Sequence, residues 1–184
     1  MGQRIVIEKM KMDDIPDVSR VEEQSFPLPW SQNAYVSELS NRSAYYIVAR
    51  INGILVGYTG MWVIMDEAHI TTLAVDPVYR RRKIAEQLLI ALIEEAMTRG
   101  ARRMTLEVRK SNAAAQNLYH RYSFFAAGVR KGYYTDNNED AIIMWTEDLW
   151  TSRFRDVFKA HRETLERETA GQDQAPGSQM TAPE

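Results

Sequence analysis

The sequence predicts an α/β protein of the α+β kind: a mixed, mostly antiparallel central sheet flanked by helices, with a C-terminal helical extension. Two stretches carry that reading. Residues 45–51 and 54–64 are apolar runs joined by Asn52-Gly53, and both residues of that pair tolerate the positive φ of a type I′ hairpin turn. Further on, Thr71-Thr72-Leu73-Ala74-Val75 reads as a strand that stops at Asp76-Pro77. Pro77 has no N–H for a sheet ladder and disfavours helix at Asp76. The chain then passes through the basic turn Tyr79-Arg80-Arg81-Arg82-Lys83 into Ile84, Leu88, Leu89, Leu92, Ile93 and Ala96, which fall at helical spacing before a stop at Gly100.

The remaining elements follow in order. Residues 4–8 alternate, with Ile5 and Ile7 on one face, as a first strand. Asp13 is placed to cap a helix carrying Ile15, Val18, Val21 and Glu22, which the prolines of Phe26-Pro27-Leu28-Pro29-Trp30 break. Ser31 caps the next helix, with Ala34, Tyr35 and Leu39. Phe26 and Trp30 thus sit on a rigid turn, either as a clamp on the core or as an aromatic wall of a substrate groove. Residues 68–75 continue the antiparallel meander, and residues 103–108 form a fifth strand beside the one ending at Val75, with the intervening helix as a crossover. Arg109-Lys110-Ser111-Asn112 starts a helix that runs to Tyr119. Residues 124–129 and 141–145 are two more strands, joined by Asp136-Asn137-Asn138-Glu139 with Gly132-Tyr133-Tyr134 before it. From Trp150 onward Phe154, Val157, Phe158 and Leu165 make one helical stripe. The expected division is a domain over 1–149, an amphipathic helix over 150–168 and a disordered tail over 169–184, whose Gly, Pro, Gln, Ser and Thr have little to bury.

Composition narrows the function. With 184 residues, 45% hydrophobic and 26% charged, the chain has an ordinary globular core. A net charge of −2 argues against direct nucleic-acid binding, so the basic turn is a local device. The absence of cysteine excludes disulfides, thiolate metal sites and a cysteine nucleophile. His69, His120 and His161 do not pair at metal-ligand spacing, and no metal is expected. No apolar run reaches membrane-spanning length, and a cytoplasmic protein without a membrane partner is the expectation.

A strand feeding a basic loop and a helix N-terminus is a way of holding an anion, because free N–H groups and the helix dipole point at it. Two later residues stand out beside it. Glu107 interrupts an otherwise apolar strand, and Tyr119 follows on the next helix. Together they suggest a base and an acid flanking a phosphate-bearing cofactor.

Leu73-Ala74-Val75-Asp76-Pro77 followed by Tyr79-Arg80-Arg81-Arg82-Lys83-Ile84-Ala85 resembles the acetyl-coenzyme A motif of the GNAT acetyltransferases, whose pattern is Gln/Arg-x-x-Gly-x-Gly/Ala. Leu106-Glu107-Val108-Arg109, Ser111-Asn112, Leu118-Tyr119, Pro29-Trp30, Tyr133-Tyr134 and Glu139-Asp140-Ala141 resemble, more narrowly, the RimI branch, which acetylates N-terminal alanine of ribosomal protein. The resemblance spans roughly residues 5–149 and implies a GNAT fold and an acetyl-coenzyme A co-substrate. It also implies that Leu73, Ala74 and Val75 pair with the pantetheine arm, that amides of Arg81, Arg82, Lys83, Ile84, Ala85 and Glu86 cradle the pyrophosphate, and that Asn112 binds the arm from the far side. By the same resemblance Glu107 is the general base and Tyr119 the general acid, with Phe26, Trp30, Tyr133 and Tyr134 lining a peptide groove. The implied partner is the N-terminus of a ribosomal protein, taken by a monomer or weak homodimer. A lysine or small-amine acetyltransferase and a non-catalytic acyl-coenzyme A-binding module are the other readings. The sequence departs from the pattern twice: Lys83 occupies the first glycine position, and Ser123 stands where glycine usually precedes Phe124. Lys83 fits if the loop has already entered helical geometry there, with its ammonium near the phosphates.

Overall fold

In the computed structural model the described residues are 4–172. Seven strands form one sheet: β1 (Ile5–Lys9), β2 (Ala44–Ile51), β3 (Ile54–Ile64), β4 (Glu67–Val75), β5 (Arg103–Arg109), β6 (Phe124–Tyr134) and β7 (Glu139–Thr146). Their order across the sheet is β1-β2-β3-β4-β5-β7-β6. The first four strands are an antiparallel meander, and Asn52 and Gly53 take φ of 51° and 81° at the expected hairpin turn. β4 and β5 are parallel, connected by α3 (Ile84–Thr98), and the hairpin β6–β7 closes the far side antiparallel to β5.

Each face of the sheet buries its own apolar cluster. On one side α1 (Ile15–Ser25) and α2 (Gln32–Ser40) cover β2–β4 with Val18, Val21, Tyr35, Tyr46, Leu55 and Tyr58. Gly60 makes room there: a Cβ on it would lie 2.1 Å from the Tyr46 ring. On the other side α3, α4 (Ala113–Arg121) and α5 (Ser152–Gln172) pack over Leu88, Leu92, Met104, Leu106, Tyr122, Phe154 and Leu165. α5 crosses α3 through Phe158 and Leu165, with Arg162 Nη1 2.9 Å from Glu94 Oε1. No helix among the described residues is long and apolar enough to cross a membrane.

Three expectations change. The α1 N-cap is Asp14, because a short 3₁₀ turn (Met12–Asp14) precedes the helix and Asp14 Oδ2 accepts from Lys11 N at 2.7 Å; Asp13 is not the cap. β6 runs on to Tyr134, past a register shift between Arg130 and Tyr134 and a positive φ at Gly132, so Tyr133 and Tyr134 lie on a strand rather than in a turn. Gly132 N donating to Asp140 Oδ1 at 3.0 Å holds that irregularity to β7. α5 extends to Gln172 instead of ending at 168, with Thr169 bonded back to Leu165 O at 2.9 Å; the rest of the expected tail, 173–184, lies outside the described residues. Ser31 caps α2 as expected, its Oγ accepting from Ala34 N at 3.3 Å.

Candidate active site

The site forms where the sheet comes apart. β4 and β5 are paired only at Glu67↔Arg103, Ala68↔Met104 and His69↔Thr105; beyond that point β4 continues to Val75 and β5 to Arg109 without a ladder between them. The fork leaves one edge of β4 open along Leu73, Ala74 and Val75, while the other edge is bound to β3 at Thr59, Tyr58 and Gly57. Unpaired strand edges present N–H and C=O groups to whatever lies in the gap. The Val75 carbonyl already accepts from Arg80 Nε at 3.2 Å.

Glu107 lies two residues past the last paired position, on the face opposite buried Leu106 and Val108. Its side chain is only 9% exposed. Oε2 is 2.6 Å from His69 Nε2, and Oε1 is 3.1 Å from Arg130 Nη2 on β6. The hydrogen bond to His69 is the largest influence on its acidity and holds the carboxyl below the ordinary carboxylate range, against the opposing effect of burial. Glu107 is therefore ionised at neutral pH. His69 also meets Trp62 edge to face, with ring centroids 6.0 Å apart.

Tyr119 sits on α4, 7% exposed, with its ring tilted against Phe124 at 5.6 Å. Its hydroxyl has no hydrogen-bond partner among the described residues, and burial pushes its pKa well above that of a free phenol. Tyr134 links the two candidate catalytic groups electrostatically: it raises the Tyr119 pKa and is itself influenced by Glu107. Burial lifts Tyr134 to about 12, and Arg109 stacks on its ring at 3.9 Å.

The basic turn departs from expectation. Lys83 is the residue before α3 and has φ 63° and ψ 11°, a left-handed conformation, so the loop has not entered helical geometry there. Arg81 is also left-handed, at φ 65°. The backbone keeps the shape a glycine would allow, although neither residue is glycine. Nor does the Lys83 ammonium stand free beside the turn: it lies 3.3 Å from Glu86 Oε2 and 3.0 Å from Glu168 Oε2 on α5. Ser123 shows the same substitution of residue without change of conformation, at φ 64°. Gln87 N, bonded to Lys83 O at 3.0 Å, is the first amide of α3 to find a helical acceptor; the N–H groups before it point out of the helix end. Arg82 stacks over Tyr79 at 5.1 Å, and Ile84 and Glu86 are buried. Asn112 is the N-cap of α4, its carboxamide oxygen accepting from Ala115 N at 3.1 Å, which leaves its NH₂ for a ligand.

The four expected groove residues divide into two pairs. Glu22 pins the first: Oε1 accepts from Trp30 N at 2.9 Å and Oε2 from the Tyr35 hydroxyl at 2.9 Å. Phe26 leans on the core beside α1, as the clamp reading has it, whereas the Trp30 indole is exposed, 5.7 Å from Tyr35. Tyr133 and Tyr134 meet edge to face at 5.1 Å on β6, and no ring contact joins the two pairs among the described residues. Sequence reading missed His69 and Arg130 as partners of Glu107. Their only signal was a polar residue on β4 and another on β6, and which strands lie near β5 is invisible until the sheet order and register are known. No cluster of metal-ligating residues occurs among the described residues.

The comparisons with known proteins define the class to which this forked mixed sheet belongs. The acetyltransferase (GNAT) family matches residues 13–124, well over half the chain, and the chain belongs to that family. It is thus an acetyltransferase, of a family whose acyl donor is acetyl-coenzyme A. A [ribosomal protein bS18]-alanine N-acetyltransferase of Escherichia coli is 37% identical over 140 residues, 75% of this chain and 94% of that protein. A Bacillus subtilis protein provisionally given the same activity is 42% identical over 146 residues, 79% of this chain and 97% of the relative. The crystal structure of the ribosomal-protein-S18-alanine N-acetyltransferase from Escherichia coli superposes with a TM-score of 0.73 at 35% identity, covering 78% of this chain and 93% of that one.

Proposed function

We propose that this chain acetylates the N-terminal amine of a ribosomal protein, the bS18 protein with alanine first, using acetyl-coenzyme A. The observation that carries the substrate is the match at 37% identity to nearly the whole length of a relative with that activity. In this reading the open edge of β4 at Leu73, Ala74 and Val75 receives the pantetheine arm, and the N–H groups at the start of α3 receive the pyrophosphate. The thioester lies in the fork, and the peptide approaches past Trp30, Tyr133 and Tyr134.

The chemistry asks for one proton to leave an α-ammonium of pKa about 8. A carboxylate held below its ordinary range is a poor final resting place for that proton, so Glu107, as general base, takes it from the amine or an intervening water only in passing and releases it to solvent. The freed amine attacks the thioester carbonyl, and the tetrahedral adduct expels the thiolate. Tyr119, neutral because it is buried, donates its hydroxyl proton to that sulfur, and the second proton that the adduct's nitrogen loses on becoming the amide restores the phenol. The protein works in the cytoplasm in this reading, where its substrate is made.

The test offers acetyl-coenzyme A and three peptides to the purified protein and follows acetylation by mass spectrometry. A free N-terminal alanine on a short flexible peptide gains one acetyl group. The same peptide with a blocked terminus and an internal lysine, and a free terminus with a bulky first residue, gain little. Equal rates on the first two peptides would replace this reading with a lysine acetyltransferase.

A further inference from the structure

We propose that Glu168, on the C-terminal helix, is a positioning residue for coenzyme A: it anchors Lys83 and so holds the phosphate-binding turn in a left-handed backbone conformation that its residues do not adopt by preference. The inference rests on the reading of that turn as the coenzyme A site and adds a part of the molecule to it.

The turn has two left-handed residues with a Cβ, Arg81 and Lys83, within three positions. L-residues avoid this region because Cβ crowds the following carbonyl oxygen, and such conformations persist where the surroundings hold them. Lys83 makes no capping bond with its side chain. Two carboxylates hold it instead. Glu86 is 6% exposed and fixed by the Tyr122 hydroxyl at 2.9 Å and by Arg121 Nη1 at 3.0 Å, so it is a rigid post on the first turn of α3. Glu168 is the second post, nearer to the ammonium at 3.0 Å, and its bond is the largest of the influences that raise the Lys83 pKa.

α5 is itself fixed in place. Phe154, Phe158 and Leu165 are buried in the α3 face of the core, Phe158 and His161 lie against the Tyr122 ring at 6.2 and 5.5 Å, and Arg162 pairs with Glu94. The helix runs antiparallel to α3: Arg162 meets Glu94 toward the end of α3, and Glu168 meets Lys83 at its beginning. The GNAT match stops at residue 124, before α5 starts, so the brace comes from a part of the chain that the family pattern does not include.

The sign of the effect separates positioning from simple electrostatics. Removing a carboxylate beside an anion site strengthens anion binding through charge alone. Releasing the turn weakens it. Coenzyme A is titrated calorimetrically into the full-length wild type, Glu168→Gln, Lys83→Gly and the double variant, with acetyl-coenzyme A KM and kcat measured in parallel and a melting curve for each. Glu168→Gln is expected to raise Kd and KM roughly three- to fivefold with kcat at saturation unchanged. In the Lys83→Gly background the same substitution causes no loss, because glycine takes positive φ unaided. Unchanged or tighter binding by Glu168→Gln in a wild type that binds coenzyme A overturns the proposal and leaves the site assignment standing. An equal loss in both backgrounds overturns it too, since the effect then bypasses Lys83. A wild type that does not bind coenzyme A removes the site assignment and this inference together.

Discussion

Two nearly buried carboxylates flank the proposed coenzyme A site, and their surroundings differ in kind. Glu86 opens α3 with both oxygens occupied, Oε1 by Tyr122 and Arg121 and Oε2 by Lys83. Tyr122 is 1% exposed, so one side of that network is sealed in the core. Glu107 also has both oxygens occupied, but His69 comes from β4 and Arg130 from β6 beyond β7, with side chains 34% and 55% exposed. Burial and ion pairing are common to both. What distinguishes Glu107 is that neither of its partners is sealed in the core as Tyr122 is, and that it stands on a strand bordering the gap where substrates are proposed to meet. Glu86 is built to hold a turn, and Glu107 to face a reaction.

The largest expected effect follows from that contrast. Glu107→Gln lowers kcat on an alanine-first peptide by roughly 100- to 10,000-fold while coenzyme A affinity stays within a few-fold, and Tyr119→Phe gives the same pattern nearer the lower figure. Glu86→Gln does the reverse in chemical denaturation: it costs about 1–3 kcal/mol of stability by disturbing a buried hydrogen-bonded network, and keeps turnover within roughly tenfold. Steady-state kinetics and urea titration of the three variants would break the comparison if Glu86→Gln lost turnover as heavily as Glu107→Gln.

A second test uses pH. The Glu107 pKa is depressed in the folded protein, so its contribution to stability is present above the ordinary carboxylate value of 4.5 and is lost as pH falls through the depressed value. The stability difference between wild type and Glu107→Gln should therefore be flat at neutral pH and shrink only below about pH 4.5. Activity follows a different group. Because Glu107 is already ionised, the rise of kcat/KM with pH tracks the peptide α-amine near pH 8. A profile already complete well below pH 7, rising only below the ordinary carboxylate value of 4.5, would assign the limiting proton to the carboxylate instead.

The smallest effect concerns Ser123, next to the Tyr122 that secures Glu86. Its φ of 64° is left-handed, and Ser123→Gly should raise stability by about 0.5–1 kcal/mol, part of the gain being offset by the greater freedom of glycine in the unfolded chain. Turnover stays unchanged, because the relief falls on the sealed side of the site. A melting temperature that falls would show that Ser123 is held without strain.

Much of the fold was legible because it is written locally. Asn52-Gly53 set a hairpin, Asp76-Pro77 ended a strand, and the apolar spacing from Ile84 to Ala96 marked the helix that makes β4 and β5 parallel neighbours. Glu107 was conspicuous because a charge in an apolar strand breaks a pattern that extends over neighbouring residues. The length of β6 was not legible: Gly132 looks like a turn residue, and only the pairing of Tyr134 with Glu139 shows that the strand absorbs it as an irregularity.

By itself the sequence determined the kinds of element, their order, and which residues carry unusual chemistry, because periodicity, proline, glycine and charge act within a few positions. Tertiary structure alone decided where β4 and β5 separate, which imidazole and guanidinium meet Glu107, and that Lys83 adopts a glycine-like conformation between Glu86 and Glu168. Those outcomes depend on strand register and on a helix packed from the far end of the chain. An ion pair between residues so distant in sequence has no local signature, since the free energy that forms it comes from burying the apolar faces that bring its partners together.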